Sequence, residues 1–198
     1  MKEANSVQPA PLEITMIAVE ALESLGVPYL IGGSLASGLF GSTRATLDAD
    51  ILADLRPEHA EPLQRTLSHE FYVDLGAIRE AIRRRGSFNA IHVETAFKID
   101  VFVPQDRPFD RVELERRQLH EVFTSPPMFA YFASPEDIVL SKLEWYRSGG
   151  EVSDRQWDDV LGTLKVQGDR LDRQYLQRWA GELNVAELLE RALREATE

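Results

Sequence analysis

The sequence predicts an α+β fold: a mixed sheet flanked by helices over residues 1–133, followed by a C-terminal helical appendage over 134–198. Three observations carry this. Short apolar runs with β-branched residues alternate with segments of helical spacing through the first two thirds of the chain. The runs Ser87 to His92 and Ala96 to Val103 flank a polar turn near Val93 to Thr95, as a hairpin does. From Ser134-Pro135-Glu136 onward the pattern is helical alone, with Ser134 placed to cap and Pro135 placed in a first turn.

Taken in order, apolar residues from Leu12 to Leu25 recur at helical spacing, and Gly26 then Pro28 close that helix. Val27 to Ile31 follows as a short strand running into Gly32-Gly33-Ser34. Helical spacing resumes at Leu35, Ala36, Leu39 and Phe40, which puts the glycine pair at a strand-to-helix junction. A strand is expected over Asp48 to Ala53, a helix from Pro57 to about Glu70, and a basic helix over Leu75 to Arg85. Two strand-like runs, Leu119 to Phe123 and Met128 to Phe132, precede the helical region. That region is broken near Ser148 to Ser153, Gln167 to Leu171 and Gly181 to Asn184.

Composition narrows the class of partner. The 198 residues carry 33 acidic and 22 basic side chains, a formal net charge of -11, so the surface as a whole repels duplex nucleic acid and anionic membrane. Only residues 75–133, with 9 basic and 8 acidic groups, offer a favourable side to an anionic acceptor. There is no cysteine, which excludes disulfides, thiolate metal sites and cysteine nucleophiles. No uncharged apolar run approaches the roughly 18 residues of a membrane span, and the amino-terminal stretch lacks the form of a signal peptide, so a cytoplasmic location is expected. His59, His69, His92 and His120 are scattered without zinc-ligand spacing. Trp145, Trp157 and Trp179 fall at core positions of the helical region.

The chemistry concentrates between Ile31 and Leu52. A Gly-Gly-Ser turn at a helix start presents unpaired backbone N–H groups, a hydroxyl and the positive end of the helix dipole, all suited to a phosphate; Gly32, Gly33 and Ser34 are the candidate binders. On the next strand Asp48 and Asp50 are two residues apart and so project from one face. Like charges this close call for a cation, and hard oxygen donors suit Mg²⁺. Asp100, in the alternating strand Lys98 to Val103, supplies a third carboxylate. If that strand lies beside Asp48 to Leu52, the three carboxylates converge on two Mg²⁺ ions, an arrangement that clamps the attacking and leaving oxygens of a phosphoryl displacement. Asp100 is then also placed to take a proton from an incoming hydroxyl.

These residues resemble the nucleotidyltransferase superfamily related to DNA polymerase beta. Its signature is Gly-Gly or Gly-Ser, a spacer, Asp-x-Asp with hydrophobic flanks, and a third carboxylate on a later strand. Gly33-Ser34, thirteen intervening residues, Asp48-Ala49-Asp50-Ile51 and Asp100 fill those slots. Arg44-x-Thr46-x-Asp48-x-Asp50, Lys98-x-Asp100, Ser134-Pro135-Glu136-Asp137 with Lys142, and Asp154-Arg155 before Asp158-Asp159 are similar to the four blocks of the abortive-phage-infection toxin branch. The fourth block departs from that pattern, with Trp157 where a basic residue is expected and Leu161 where an aspartate is. The resemblance implies a nucleotidyltransferase-like fold and Mg²⁺-dependent transfer of a nucleoside monophosphate from an NTP such as ATP to a hydroxyl. It implies nucleotide contacts from Arg44, Thr46 and Lys142. The acceptor stays open among a protein, a small molecule and an RNA end, and a regulatory protein partner, as in a toxin-antitoxin pair, stays open too. The alternative is a catalytically inactive nucleotide-binding or partner-binding module of the same fold.

Overall fold

The structure is a computed structural model that describes residues 10–41 and 46–197. In chain order the first elements are α1 (Pro11–Ser24), β1 (Tyr29–Ile31), α2 (Gly33–Phe40), β2 (Asp48–Ala53), α3 (Ala60–Leu67), β3 (Phe71–Tyr72) and α4 (Leu75–Arg84). Then come β4 (Ser87–His92), β5 (Lys98–Phe102), α5 (Pro108–Arg116), β6 (Gln118–Thr124) and β7 (Pro127–Phe132). The helices α6 (Pro135–Ser148), α7 (Asp154–Gln167), α8 (Arg173–Glu182) and α9 (Ala186–Thr197) complete the described chain. Among the described residues no helix is long and apolar enough to cross a membrane.

The described residues fall into two compact units, residues 10–29 with 46–104 and residues 30–41 with 105–197. The helical region from 134 onward shares its unit with β1, α2, α5, β6 and β7.

In the first unit the strand order is β3-β4-β5-β2, with β2 and β5 parallel and the other neighbours antiparallel. The expected hairpin is present, and Ala96 in its turn takes a left-handed φ of 57°. One face of these strands is apolar: Ala49, Ile51, Ala53, Phe88, Ala90, Ile99 and Val101 are buried. Helix α1 packs on β2 and α4 on β4. Helix α1 ends at Gly26, φ 65°, where the Val27 N–H donates back to the Leu22 carbonyl at 3.0 Å. Helix α4 begins with the Asp74 carboxylate accepting from the Ala77 N–H at 2.7 Å, a side-chain cap. Arg79 pairs at the surface with Glu61, and Arg83 and Arg84 share Glu80, so two glutamates offset part of the basic run in place.

In the second unit β1 pairs in parallel with β7, and β7 pairs antiparallel with β6. The helices α6, α7, α8 and α9 close around a core that includes Phe109, Leu140, Leu143, Trp157, Val160, Leu176 and Trp179. Ser134 caps α6 as expected, accepting from the Asp137 N–H at 3.2 Å. Trp145, expected in the core, is 56% exposed, because it lies on the face of α6 opposite Tyr146 and Leu143. Helix α5 was not foreseen. Two of its four buried positions are Asp110 and Glu113, so hydrophobic spacing alone does not reveal it. Strand β3 is two residues long, below what alternation can register.

Candidate active site

The alternation of β2 leaves Asp48 and Asp50 half-buried on one face while Ala49, Ile51 and Ala53 enter the core. Strand β5 lies directly beside β2, as expected, in a register that sets Asp48 opposite Lys98 and Asp50 opposite Asp100. On its other side β5 faces β4, where Asn89 is opposite Asp100. Two rows therefore cross three adjacent strands: Asn89, Asp100 and Asp50 in one, Ile91, Lys98 and Asp48 in the next. Neighbouring strands lie about 4.8 Å apart, so Asp50 and Asp100 are adjacent members of one row.

Both oxygens of Asp100 are engaged. The Lys98 ammonium is 2.5 Å from Oδ2, and the Asn89 amide donates to Oδ1. The side chain of Asp100 is 15% exposed and that of Lys98 42%. The hydrogen bond to Asp100 raises Lys98 above the ordinary lysine range against a smaller cost of burial, and the charges of Asp100, Asp48 and Asp50 add in the same direction. Thr46 prepares the start of β2: its hydroxyl donates to the Asp48 carbonyl at 2.8 Å and reaches Asp48 Oδ1 at 3.2 Å.

The three aspartates are hard oxygen donors on rigid neighbouring strands, which fits Mg²⁺ in kind, and a positive charge from Lys98 already stands among them. The side chains as they stand differ from the expected convergence on two ions. Among the described residues no three histidine, aspartate or glutamate groups are gathered closely enough to hold a metal. The physical reason is local: Asp100 is turned to Lys98 and Asn89.

The other expected residues belong to the second unit. Gly32 is the residue before α2, and Gly33, its first residue, has φ 55°, a conformation that glycine alone adopts without cost. The N-cap residue Gly32 has no side chain to cap this helix start, whose first-turn N–H groups are backbone donors of the kind that suit an anion. Ser34 follows them in the first turn, half-buried. Lys142, on α6, is buried and holds Asp159 of α7 at 2.7 Å, with the Gln156 side chain 3.3 Å away. Arg44 lies outside the described residues.

Asn89 was not singled out from sequence, and Asp159 was named there only within the fourth block, with no role. Asn89 carried only part of a signal: a turn at Val93 to Thr95 would set it opposite Ile99, and the observed register, one residue longer in the turn, sets it opposite Asp100. Asp159 is fully buried, which the run of charges around it, Asp154, Arg155 and Asp158, does not indicate.

No family model and no curated relative matches the sequence. Solved structures do match. An antigenic nucleotidyltransferase-like protein from Paracoccidioides brasiliensis aligns with a TM-score of 0.54 at 18% identity, over 91% of this chain and 91% of that one. The chain has the nucleotidyltransferase fold. The antibiotic-resistance factor ANT(2'')-Ia, in complex with adenylyl-2''-tobramycin, aligns at 0.54 with 15% identity, over 87% of this chain and 97% of its own. The lincosamide antibiotic adenylyltransferase LnuA, lincomycin-bound, aligns at 0.52 with 14% identity, over 79% of this chain and 98% of its own.

Proposed function

We propose that the protein is a Mg²⁺-dependent nucleotidyltransferase that moves a nucleoside monophosphate from an NTP to a hydroxyl of a small polar molecule. The observation that carries this is the row of carboxylates on adjacent parallel strands, Asp50 opposite Asp100 with Asp48 two residues away, in a nucleotidyltransferase fold. A small-molecule acceptor is favoured because two structural neighbours are described with antibiotics, one bound to lincomycin and one to adenylyl-2''-tobramycin. The net charge of -11 argues in the same direction, against a long polyanion as acceptor.

In the proposed reaction the acceptor oxygen forms a bond to the α-phosphorus as the α–β anhydride bond breaks, and pyrophosphate leaves. Asp48, Asp50 and Asp100 would hold the ions, and Mg²⁺ when bound neutralises phosphate charge and polarises the phosphorus. Asp100 accepts the hydroxyl proton, with Asn89 fixing one of its oxygens.

The test is to incubate the protein with each labelled NTP, Mg²⁺ and, separately, aminoglycosides, lincosamides, a protein extract and short RNAs, with Asp48→Ala as control. Transfer of label to a small hydroxylic compound, absent from Asp48→Ala, is expected. Label on protein or RNA instead would assign a toxin-like acceptor. If no label is transferred, and NTP with Mg²⁺ raises the melting temperature of wild type no more than that of Asp48→Ala, the enzyme assignment fails and the inactive-module alternative stands.

A further inference from the structure

We infer that Lys98 is a resident counter-ion of the carboxylate face, occupying Asp100 until a divalent cation displaces it. This rests on the function proposed above, since it concerns how that face receives its metal.

Three carboxylates project on one face of two neighbouring strands, and leaving such a set without positive charge would raise their mutual repulsion. Lys98 is built into the same face, one row from Asp100 and opposite Asp48, and its ammonium closes on Asp100 Oδ2 at 2.5 Å while remaining in the field of Asp48 and Asp50. Because Asn89 takes Oδ1, Asp100 offers no uncommitted oxygen while Lys98 is in place.

The choice of residue suits release. The chain has only 4 lysines against 18 arginines, and its surface ion pairs are made overwhelmingly by arginine. An arginine at this position could grip the carboxylate in two-point fashion, whereas an ammonium on a four-carbon stem makes a single-point contact and can swing away. The side chain of Lys98 is 42% exposed, so its ammonium can move into water. Asp100, at 15% exposure and tethered by Asn89, stays where it is. An ion of charge two with hard oxygen preference then replaces a charge of one, and Oδ2 is the atom exchanged.

The experiment is direct Mn²⁺ binding without nucleotide, read from the electron paramagnetic resonance signal of free Mn²⁺, on the full chain as wild type, Lys98→Met and Lys98→Arg. Lys98→Met is expected to bind about tenfold more tightly than wild type, with Lys98→Arg no tighter than wild type. Equal or weaker binding by Lys98→Met, or no binding by either protein, overturns the inference. A second measurement uses wild type alone and does not depend on how a variant folds. In a Mg²⁺ titration, the side-chain ammonium and ε-methylene resonances of Lys98 should move with the same midpoint as metal binding, and an unmoved Lys98 signal also overturns it. Failure of the proposed function is seen separately, as no labelled product and no NTP-dependent melting shift in wild type.

Discussion

Lys142 on α6 and Asp159 on α7 form a 2.7 Å ion pair whose side chains are only 6% and 1% exposed. Both charges are therefore held out of water, and Gln156 supplies one further acceptor to the ammonium. Removing one partner strands the other charge, so Lys142→Met should lower unfolding free energy by about 3–5 kcal/mol in a urea titration. The double variant Lys142→Met with Asp159→Leu should recover most of that loss, because two apolar side chains replace two desolvated charges. The recovered double variant then isolates any role with nucleotide. If its NTP-dependent melting shift equals that of wild type, Lys142 acts as a pin between helices; if the shift is lost while stability is restored, the ammonium also reaches nucleotide.

Gly41 ends α2 with φ 143°, and a methyl group there would meet the Gly162 carbonyl oxygen and Val166 Cγ2 of α7, each at 2.7 Å. One of these neighbours is backbone and cannot swing aside, and the Gln167 amide already holds the Phe40 carbonyl at 3.1 Å on the same side. Gly41→Ala should therefore cost about 2–3 kcal/mol, combining left-handed strain with overpacking, measured by denaturant midpoint. A midpoint equal to wild type would show that α2 and α7 can separate at that corner without loss.

The carboxylates are expected to differ in their contribution to stability. Asp48 and Asp50 add negative charge to the face that carries Asp100, and Lys98 lies in the field of all three, so Asp50→Asn should abolish transfer and cost less stability than Asp100→Asn. Asp100→Asn removes the ion pair to Lys98 and one acceptor for Asn89, and should lower stability by on the order of 1 kcal/mol along with activity. Thermal unfolding of the two variants side by side checks the contrast.

Period-two alternation located β2, β4 and β5, and with them the face on which Asp48, Asp50 and Asp100 lie, because a strand's buried side is written directly in its apolar positions. Ser134 was legible as a cap for the same reason: the bond it makes is three residues long. What the sequence did not reveal depends on partners distant in the chain. Whether Lys98 faces solvent, a phosphate or Asp100 is decided by which strands flank β5. Asp159 reads as one more acidic residue on a charged helix until α6 is laid against it. Helix α5 was hidden because its inward face is partly acidic, stabilised by arginines, such as Arg107 bonded to Asp110, rather than by apolar burial.

That acidic inward face has a consequence for pH dependence. Glu113 is buried with Asp110 and Asp137 near it, and loss of solvent first, then the charges of Asp137 and Asp110, push its carboxyl well above the usual range; the Ser141 hydroxyl and Arg107 oppose this only in part. Asp137, fully buried, is raised by the same loss of solvent, and the bonds it accepts from Ser134 at 2.6 Å and Tyr175 at 2.5 Å offset part of that rise, as does Arg116. The charges facing this pocket come from α5 with Asp110, Glu113 and Arg116, from α6 with Glu136, Asp137 and Glu144, from α8 with Tyr175, and from Arg107 just before α5. A carboxyl raised in the folded state binds its proton more tightly there than in the unfolded chain. Its contribution is therefore fully present below the ordinary glutamate value of 4.5 and is lost as pH rises through the higher folded value. The exposed glutamates held low by arginine, Glu61, Glu80, Glu187 and Glu195, lose their contribution only in acid, below that window. Wild type should thus lose melting temperature as pH rises above the ordinary glutamate value, and Glu113→Gln, neutral throughout and still able to accept from Ser141, should show a flatter profile. At this chain length each 1 kcal/mol moves the midpoint by about 2–4 °C, so the divergence of the two curves toward high pH is measurable by calorimetry. Parallel curves would mean that Glu113 is ionised in the folded protein and held by Arg107.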